Sequence, residues 1–398
     1  MLRVEELHDF DSAPWLEGVW NSLLERTPDA NYFQSFAWLR TYWTHRGGGR
    51  RLRLLVVRSA DEPVGLVPLT VLREPSPLGA LRVLTYPADY WGSFYGPIGG
   101  EPDVLLRAAL EHVGRSRRDW DLLDLRFAPF DADDRAATTR EMSRCGFPPS
   151  SSLVDHTSLI ELPATFEAYL AERTSKWRNN YKRWRRRLDE RGSVTFERYR
   201  PAGAARSESD PRWDLYDACE AIARKSWQGS SSDGTTLSHE SVRPLLRDLH
   251  AAACRAGGAE INLLRIDGEP LAFLYAYHYR GSVFGLRIGY DERLSRDGVG
   301  NLLYARVIDD SIRRGDRLLD LGPGSIEAKR ALTSRVAPIF RRTWANPLSL
   351  RGLAWRARRL LRPGVERRLG VGRTQSACAA SSVERDAAAP AEADLAPA

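Results

Sequence analysis

No stretch of this 398-residue chain is long and apolar enough to span a bilayer; Leu271 to Tyr279 is an apolar piece of strand length only. The N-terminus, Met1-Leu2-Arg3-Val4-Glu5-Glu6, has acids where a secretory leader has a basic region and an apolar run, so the expectation is a cytoplasmic protein. Cysteine is scarce. Cys145, Cys219, Cys254 and Cys378 are scattered without paired spacing, which excludes a disulfide frame and a zinc site and leaves reduced thiols and no metal. A strong overall charge is also lacking: +7 is modest for this length. The charge is unevenly placed, with eight basic residues and two acids from Lys176 to Arg191, and eight arginines against Glu366 from Arg351 to Arg373. Local basic faces therefore matter more than the total.

What the chain does have is an internal repeat. Glu62-Pro63-Val64-Gly65-Leu66-Val67, Leu105-Leu106-Arg107-Ala108-Ala109-Leu110 and Leu122-Leu123-Asp124-Leu125 read as strand, helix and buried strand. The order recurs as Glu269-Pro270-Leu271-Ala272-Phe273-Leu274, Leu302-Leu303-Tyr304-Ala305-Arg306-Val307 and Leu318-Leu319-Asp320-Leu321. Two matched α/β units are implied, and the length suits two domains, each with its own core. Pro148-Pro149-Ser150-Ser151-Ser152 is a plausible link between them.

After this link, Thr174 or Ser175 can cap a helix that Gly192 ends. Trp177, Tyr181, Trp184 and Leu188 follow one another at spacings of four, three and four, which makes one stripe, with arginines and lysines elsewhere. Three consecutive strands follow at Ile261 to Ile266, Leu271 to Tyr279 and Val283 to Tyr290.

Only the second unit places the sequence Gly298-Val299-Gly300 between a strand and a helix, in Arg293-Leu294-Ser295-Arg296-Asp297-Gly298-Val299-Gly300 before a helix that starts at Asn301. Glycines let a backbone approach a phosphate, free N–H groups and the helix dipole attract it, and Arg293 and Arg296 can add charge-assisted bonds. The same residues also suit a turn that merely starts a helix.

Antiparallel strands, this loop, a helix and the strand Leu318 to Leu321 occur in the order found in acyl-CoA-dependent N-acyltransferases of the GNAT superfamily. The chain resembles its BioF2-like or CelD-like acetyltransferase branch, related to the FemAB aminoacyltransferases. The resemblance is carried by Phe33-Gln34-Ser35-Phe36-Ala37-Trp38, Lys176 to Gly192, Asp267-Gly268-Glu269-Pro270-Leu271-Ala272, Gly289-Tyr290-Asp291, and Asp320-Leu321-Gly322-Pro323-Gly324 with Lys329. It implies an α/β fold of tandem GNAT-like domains, each a mixed, mostly antiparallel sheet flanked by helices.

It also implies that Gly298, Val299 and Gly300, with Arg293, Arg296 and Asn301 around them, contact the pyrophosphate of acetyl-CoA or another acyl-CoA. Asp320 and Lys329 are the side chains offered for catalysis. Each has a plainer reading, Asp320 as a cap for the next turn and Lys329 as a solvated lysine. Two positions depart from the family: Ser295 stands where a basic residue or glutamine usually precedes the glycines, and Ala328 replaces the tyrosine that often precedes the lysine. His278 and Tyr304 read as core residues.

The basic helix at Lys176 to Arg191 can bind nucleic acid through phosphates and stacking, which suits the tRNA-dependent FemAB relatives; a packed stripe with a solvated basic face explains the same pattern. The segment 349–370 combines leucines and arginines that can lie on an anionic membrane surface, or pack as a C-terminal helix.

The expected arrangement is a degenerate unit at 1–150, a catalytic unit at 151–348, the basic segment at 349–370 and a disordered tail at 371–398. The expected function is acyl-CoA-dependent N-acyl transfer to an amine, with an amino sugar or a cell-envelope or exopolysaccharide precursor as acceptor. A tRNA-dependent aminoacyltransferase is one alternative, a non-catalytic RNA-binding or scaffold protein another. Peripheral attachment at the inner membrane face would accompany an envelope substrate.

Overall fold

The computed structural model describes residues 2–77, 79–129, 137–231 and 234–368; the tail expected at 371–398 lies outside them. The first half runs β1 (Leu2–Leu7), α1 (Leu16–Arg26), α2 (Phe36–Arg46), β2 (Arg51–Ser59), β3 (Glu62–Glu74), β4 (Leu81–Thr85), α3 (Pro102–Arg115), β5 (Leu122–Pro129) and α4 (Ala137–Arg144). After it come β6 (Ser150–Glu161), α5 (Phe166–Ala171), α6 (Ser175–Asp189), β7 (Val194–Tyr199), α7 (Trp213–Arg224), α8 (Arg243–Ala256), β8 (Ala259–Ile266) and β9 (Glu269–Tyr279). The chain continues through β10 (Ser282–Tyr290), α9 (Val299–Arg313), β11 (Leu318–Pro323), α10 (Ile326–Lys329), β12 (Arg335–Ala345) and α11 (Leu350–Arg368).

Among the described residues, all twelve strands join one sheet in the order β1-β2-β3-β4-β5-β12-β6-β11-β10-β9-β8-β7. The repeat is real in three dimensions. β2-β3-β4-α3-β5 and β8-β9-β10-α9-β11 have the same connectivity, and each ends on a parallel pair, β4 with β5 and β10 with β11. The halves are joined by exchanged strands: β6 pairs with β11 of the second half, and β12 crosses back to pair with β5 of the first. β6 and β12 then pair with each other at the centre of the sheet.

Side chains alternate across the sheet, and both faces are covered, so the central strands are apolar at nearly every position. Leu54 and Val56 of β2 face one layer, Leu55 and Val57 the other. In β9, Phe273, Tyr275 and Tyr277 share a cluster with the α1, α2, α7 and α8 helices, while Ala272, Leu274 and Ala276 face α6 and α9.

A cluster under α3 lies almost wholly in the first half and one under α6 and α9 in the second, and a further cluster, under α1, α2, α7 and α8, runs through both halves. Tyr32 stacks on Tyr277 with ring centres 4.5 Å apart, and Phe33 meets Phe284 edge-on at 6.1 Å. A twelve-stranded sheet presents one continuous apolar surface, and helices from either half share it.

Candidate functional site

The parallel ladder between β10 and β11 has three steps and stops at Phe284 opposite Asp320. There β10 carries a bulge between Gly285 and Arg287, and Gly322, with φ at 74°, bends β11. A Cβ on Gly285 would stand 3.2 Å from the Asp320 carbonyl, and one on Gly322 would stand 3.2 Å from the Gly285 carbonyl. Both positions therefore keep two backbones in close approach where the strands part.

Asp320 is buried at this fork. Its carboxylate accepts a hydrogen bond from the Thr157 hydroxyl of β6 and one of 2.8 Å from the Gly322 N–H. Ser93, on the loop between β4 and α3, donates to the Thr157 hydroxyl at 3.3 Å. Burial pushes the Asp320 carboxyl above the ordinary range, against the pull of Thr157, the Gly322 N–H, Ser93 and Lys329.

Lys329 closes α10, which Ser325 caps. Its Nζ donates to the carbonyls of Gly322 and Pro323, each at 2.9 Å. Burial lowers its amine to about 8; Asp320 and Asp155 oppose this and Arg287 adds to it. Arg287 in turn donates to the Thr235 carbonyl at 2.7 Å and lies over the Trp91 ring, 5.5 Å from its centre. The fork is thus built from both halves, with Trp91 and Ser93 from the first.

The glycine loop lies at the start of α9, after a 3-10 turn over Glu292–Asp297. Among the described residues, no backbone carbonyl accepts from the N–H groups of Val299, Gly300 and Asn301. These are the free groups of a helix N-terminus, and the helix dipole adds positive potential.

Two glycines here also answer to aromatic neighbours. Gly298 has φ at 76°, and a Cβ on it would fall on the Trp184 indole of α6. One on Gly300 would come 2.9 Å from the Tyr290 ring. Arg293 folds back on Asp291, with Nε and Nη2 donating at 2.9 and 2.7 Å. Arg296 offers its carbonyl to Arg187 of α6 at 3.1 Å, and Arg191 pairs with Asp297 at 2.7 Å.

The structure therefore brings Asp320 and Lys329 together, close enough for each to shift the other's protonation. Asp320 also caps the turn at Gly322. His278 pairs with Asp316 at 3.3 Å and is half-buried, and Tyr304 packs against the core of the second half. The aromatic stripe of α6 packs inward, with Trp177 and Leu188 buried, while Lys176, Lys182, Arg183 and Arg187 stay exposed. A groove of about 740 Å³ between α5, α6 and α9, lined by Phe166, Tyr181 and Arg306 among others, includes none of the fork residues. No group of three or more metal-ligating side chains occurs among the described residues.

Ser93, Thr157, Trp91 and Arg287 were not anticipated. None sits in a motif: the exchange of β6 brings Thr157 to the fork, the packing of the first half's loop brings Trp91 and Ser93, and Arg287 stands at the β10 bulge itself.

The family model of the acetyltransferase (GNAT) domain matches residues 175–330. No curated protein matches the chain in sequence. The crystal structure of FemX superposes with a TM-score of 0.57 at 11% identity, covering 85% of this chain and 96% of FemX. A conserved protein of unknown function from Bacteroides thetaiotaomicron gives 0.52 at 11% identity, covering 86% and 100%. The C-terminal DUF2156 domain of a protein described as a lysylphosphatidylglycerol synthetase, from Agrobacterium fabrum, gives 0.51 at 12%, covering 86% and 97%. At such identities the likeness is one of fold. Residues 175–330 thus match the acetyltransferase (GNAT) domain family, and the sheet around them has the fold of these structures.

Proposed function

We propose that the protein transfers an acyl group, acetyl in the simplest case, from acyl-CoA to an amine, with residues 151–348 as the catalytic unit and 1–150 shaping its site. The observation that carries this reading is the fork at Phe284 and Asp320 on the strand pair that flanks the free N-terminus of α9. The α9 N–H groups suit a pyrophosphate, and in this reading the thioester lies where the two strands part.

An amine attacking a thioester releases a thiolate, so the site must deliver one proton and accept another. Lys329, at about 8, is close to an ordinary thiol at about 8.5, so a proton passes between them with little free-energy change. Asp320 accepts from both Thr157 and the Gly322 N–H on its Oδ1 and acts as a positioning residue that tunes Lys329. Arg293 is tied to Asp291, so in this reading backbone groups and Asn301 hold the phosphates more directly than the arginines do. The acceptor is an amino sugar or a related envelope or exopolysaccharide precursor.

A FemAB-like, tRNA-dependent aminoacyl transfer is the second reading. Arg187 fastens the exposed basic face of α6 to the glycine loop, which would extend an anion site into a polyanion track.

Thiol release from acetyl-CoA in the presence of an amine panel, set beside acyl transfer from charged tRNA, separates the two. Asn301→Glu is the informative variant. A glutamate in the first turn favours the helix while repelling phosphate, so folding is kept and binding is lost. No titration of wild-type protein by acetyl-CoA or CoA at millimolar concentration would overturn the first reading.

A further inference from the structure

α11 carries three of its leucines, Leu350, Leu353 and Leu361, on the wrong face for a helix that merely packs on its own protein. Its start is bolted to the body: Ser349 donates to Asp121 at 2.6 Å, and a Cβ on Gly352 would lie 2.6 Å from the Asn346 carbonyl and 2.8 Å from that of Asp121. One turn on, Trp355 packs against the cluster of Leu72, Leu81, Val83 and Leu122. These contacts define the inward side.

At about 100° per residue, Leu350, Leu353, Ala354, Ala357 and Leu361 share a sector of about 100° on the opposite side. Leu350 is 85% exposed, Leu361 66% and Leu353 43%, and Leu348 just before the helix is 80% exposed. Arg351 and Arg358 border this sector on one flank and Arg356 on the other, all exposed. Glu366 is the sole acid in the helix sequence.

We propose that this outer face of α11 docks flat on an anionic membrane surface. The leucines enter the boundary between headgroups and acyl chains, and the flanking arginines meet lipid phosphates at the same depth. The charge pattern selects this occupant. A second copy of the chain would bring the same arginines face to face, and a neutral protein groove would leave them without partners. Among the described residues no helix is long and apolar enough to cross a membrane, so α11 lies on the surface and does not span it. The inference is independent of the donor used in catalysis.

Sedimentation of the full chain with vesicles tests it, using phosphatidylcholine alone and an equal mixture with phosphatidylglycerol. The expected result is binding to the mixed vesicles at low salt and none to the neutral ones. The triple variant Leu350→Ser, Leu353→Ser, Leu361→Ser, and separately Arg351→Gln, Arg356→Gln, Arg358→Gln, should each weaken binding roughly tenfold or more. Both sets are exposed, so the melting temperature serves as the folding control. Absence of binding to mixed vesicles, or binding that the leucine variant leaves unchanged, overturns the proposal. So does a wild-type dimer in solution that the leucine variant splits without any vesicle binding, which would assign the face to a second copy.

Discussion

Asp124 and Asp320 stand at the same step of the two repeated units, each one residue beyond the Leu-Leu pair that opens its strand, yet only Asp124 is met by arginines. Asp124 accepts from Arg126 at 2.7 Å, from Arg341 of β12 and from the Thr343 hydroxyl at 2.7 Å. Burial raises its carboxyl, but these partners outweigh burial and hold it below the ordinary range. Asp320 has the threonine without the arginines, and burial wins. The first unit has spent its aspartate on structure, and the second has left it electrostatically exposed to Lys329.

Asp124→Asn should therefore cost stability rather than activity. It leaves Arg126 buried with one charge partner fewer, a loss of about 3 kcal/mol by analogy with broken buried pairs. A depressed carboxyl stabilises the fold above the unfolded pKa and loses that contribution as pH falls through the folded value. Wild type should thus lose stability on acidification below about pH 4, and the variant should lose less. Urea unfolding at neutral and acidic pH measures both.

Gly298 is a second case in which one side chain explains another. Gly298→Ala should destabilise by about 2–4 kcal/mol, because an alanine there would be strained at φ 76° and would meet the Trp184 indole. Adding Trp184→Ala relieves the collision and leaves the backbone strain. The double variant should be more stable than the sum of the single losses predicts, by about 1 kcal/mol or more. Additive losses in a denaturant series would mean that Trp184 does not hold the loop.

These two relationships mark what was legible in the chain and what was not. The Leu-Leu-Asp-Leu repeat and the apolar strands point to matched α/β units, because periodicity and burial are local properties of sequence. The stripe of Trp177, Tyr181, Trp184 and Leu188 was legible for the same reason. That Trp184 would land on Gly298 was not, since the contact spans more than a hundred residues. Thr157 lies 163 residues from Asp320, and Ser93 lies 64 from Thr157. Strand exchange brings them together, and exchange leaves no local signal.

Lys329 gives a pH prediction with a definite sign. Its folded value of about 8 lies below an unfolded lysine at about 10.4, so between these limits the unfolded chain binds more protons. Unfolding free energy should therefore rise with pH across that window on this account. Lys329→Met should flatten the rise and slow thiol release from acyl-CoA. Asp320→Asn removes the charge that props up the lysine, so the midpoint of any basic limb in the rate should move below about 8. A limb that stays put in Asp320→Asn would detach Asp320 from the proton chemistry. Rate profiles between pH 6 and about 10 read this out.

The exchanged strands make a claim about folding that the repeat alone would not suggest. Independent units would melt separately, and a fragment ending at residue 149 would fold. Here β5 needs β12 from the far end of the chain, and the residues of β6 supply the edge that β11 needs. Tyr32, Phe33, Tyr277 and Phe284 then tie the two halves through one core. The fragment 1–149 should therefore be unfolded or aggregated, since the unpaired edge of β5 exposes apolar surface and open backbone groups. A fragment extended to residue 161 should fare no better, because β6 without β12 has no neighbour that reaches β5. The intact chain should unfold in one transition, with calorimetric and van't Hoff enthalpies in agreement. Two resolved transitions, or a folded 1–149 fragment by amide exchange, would show that the shared core contributes less than its area suggests.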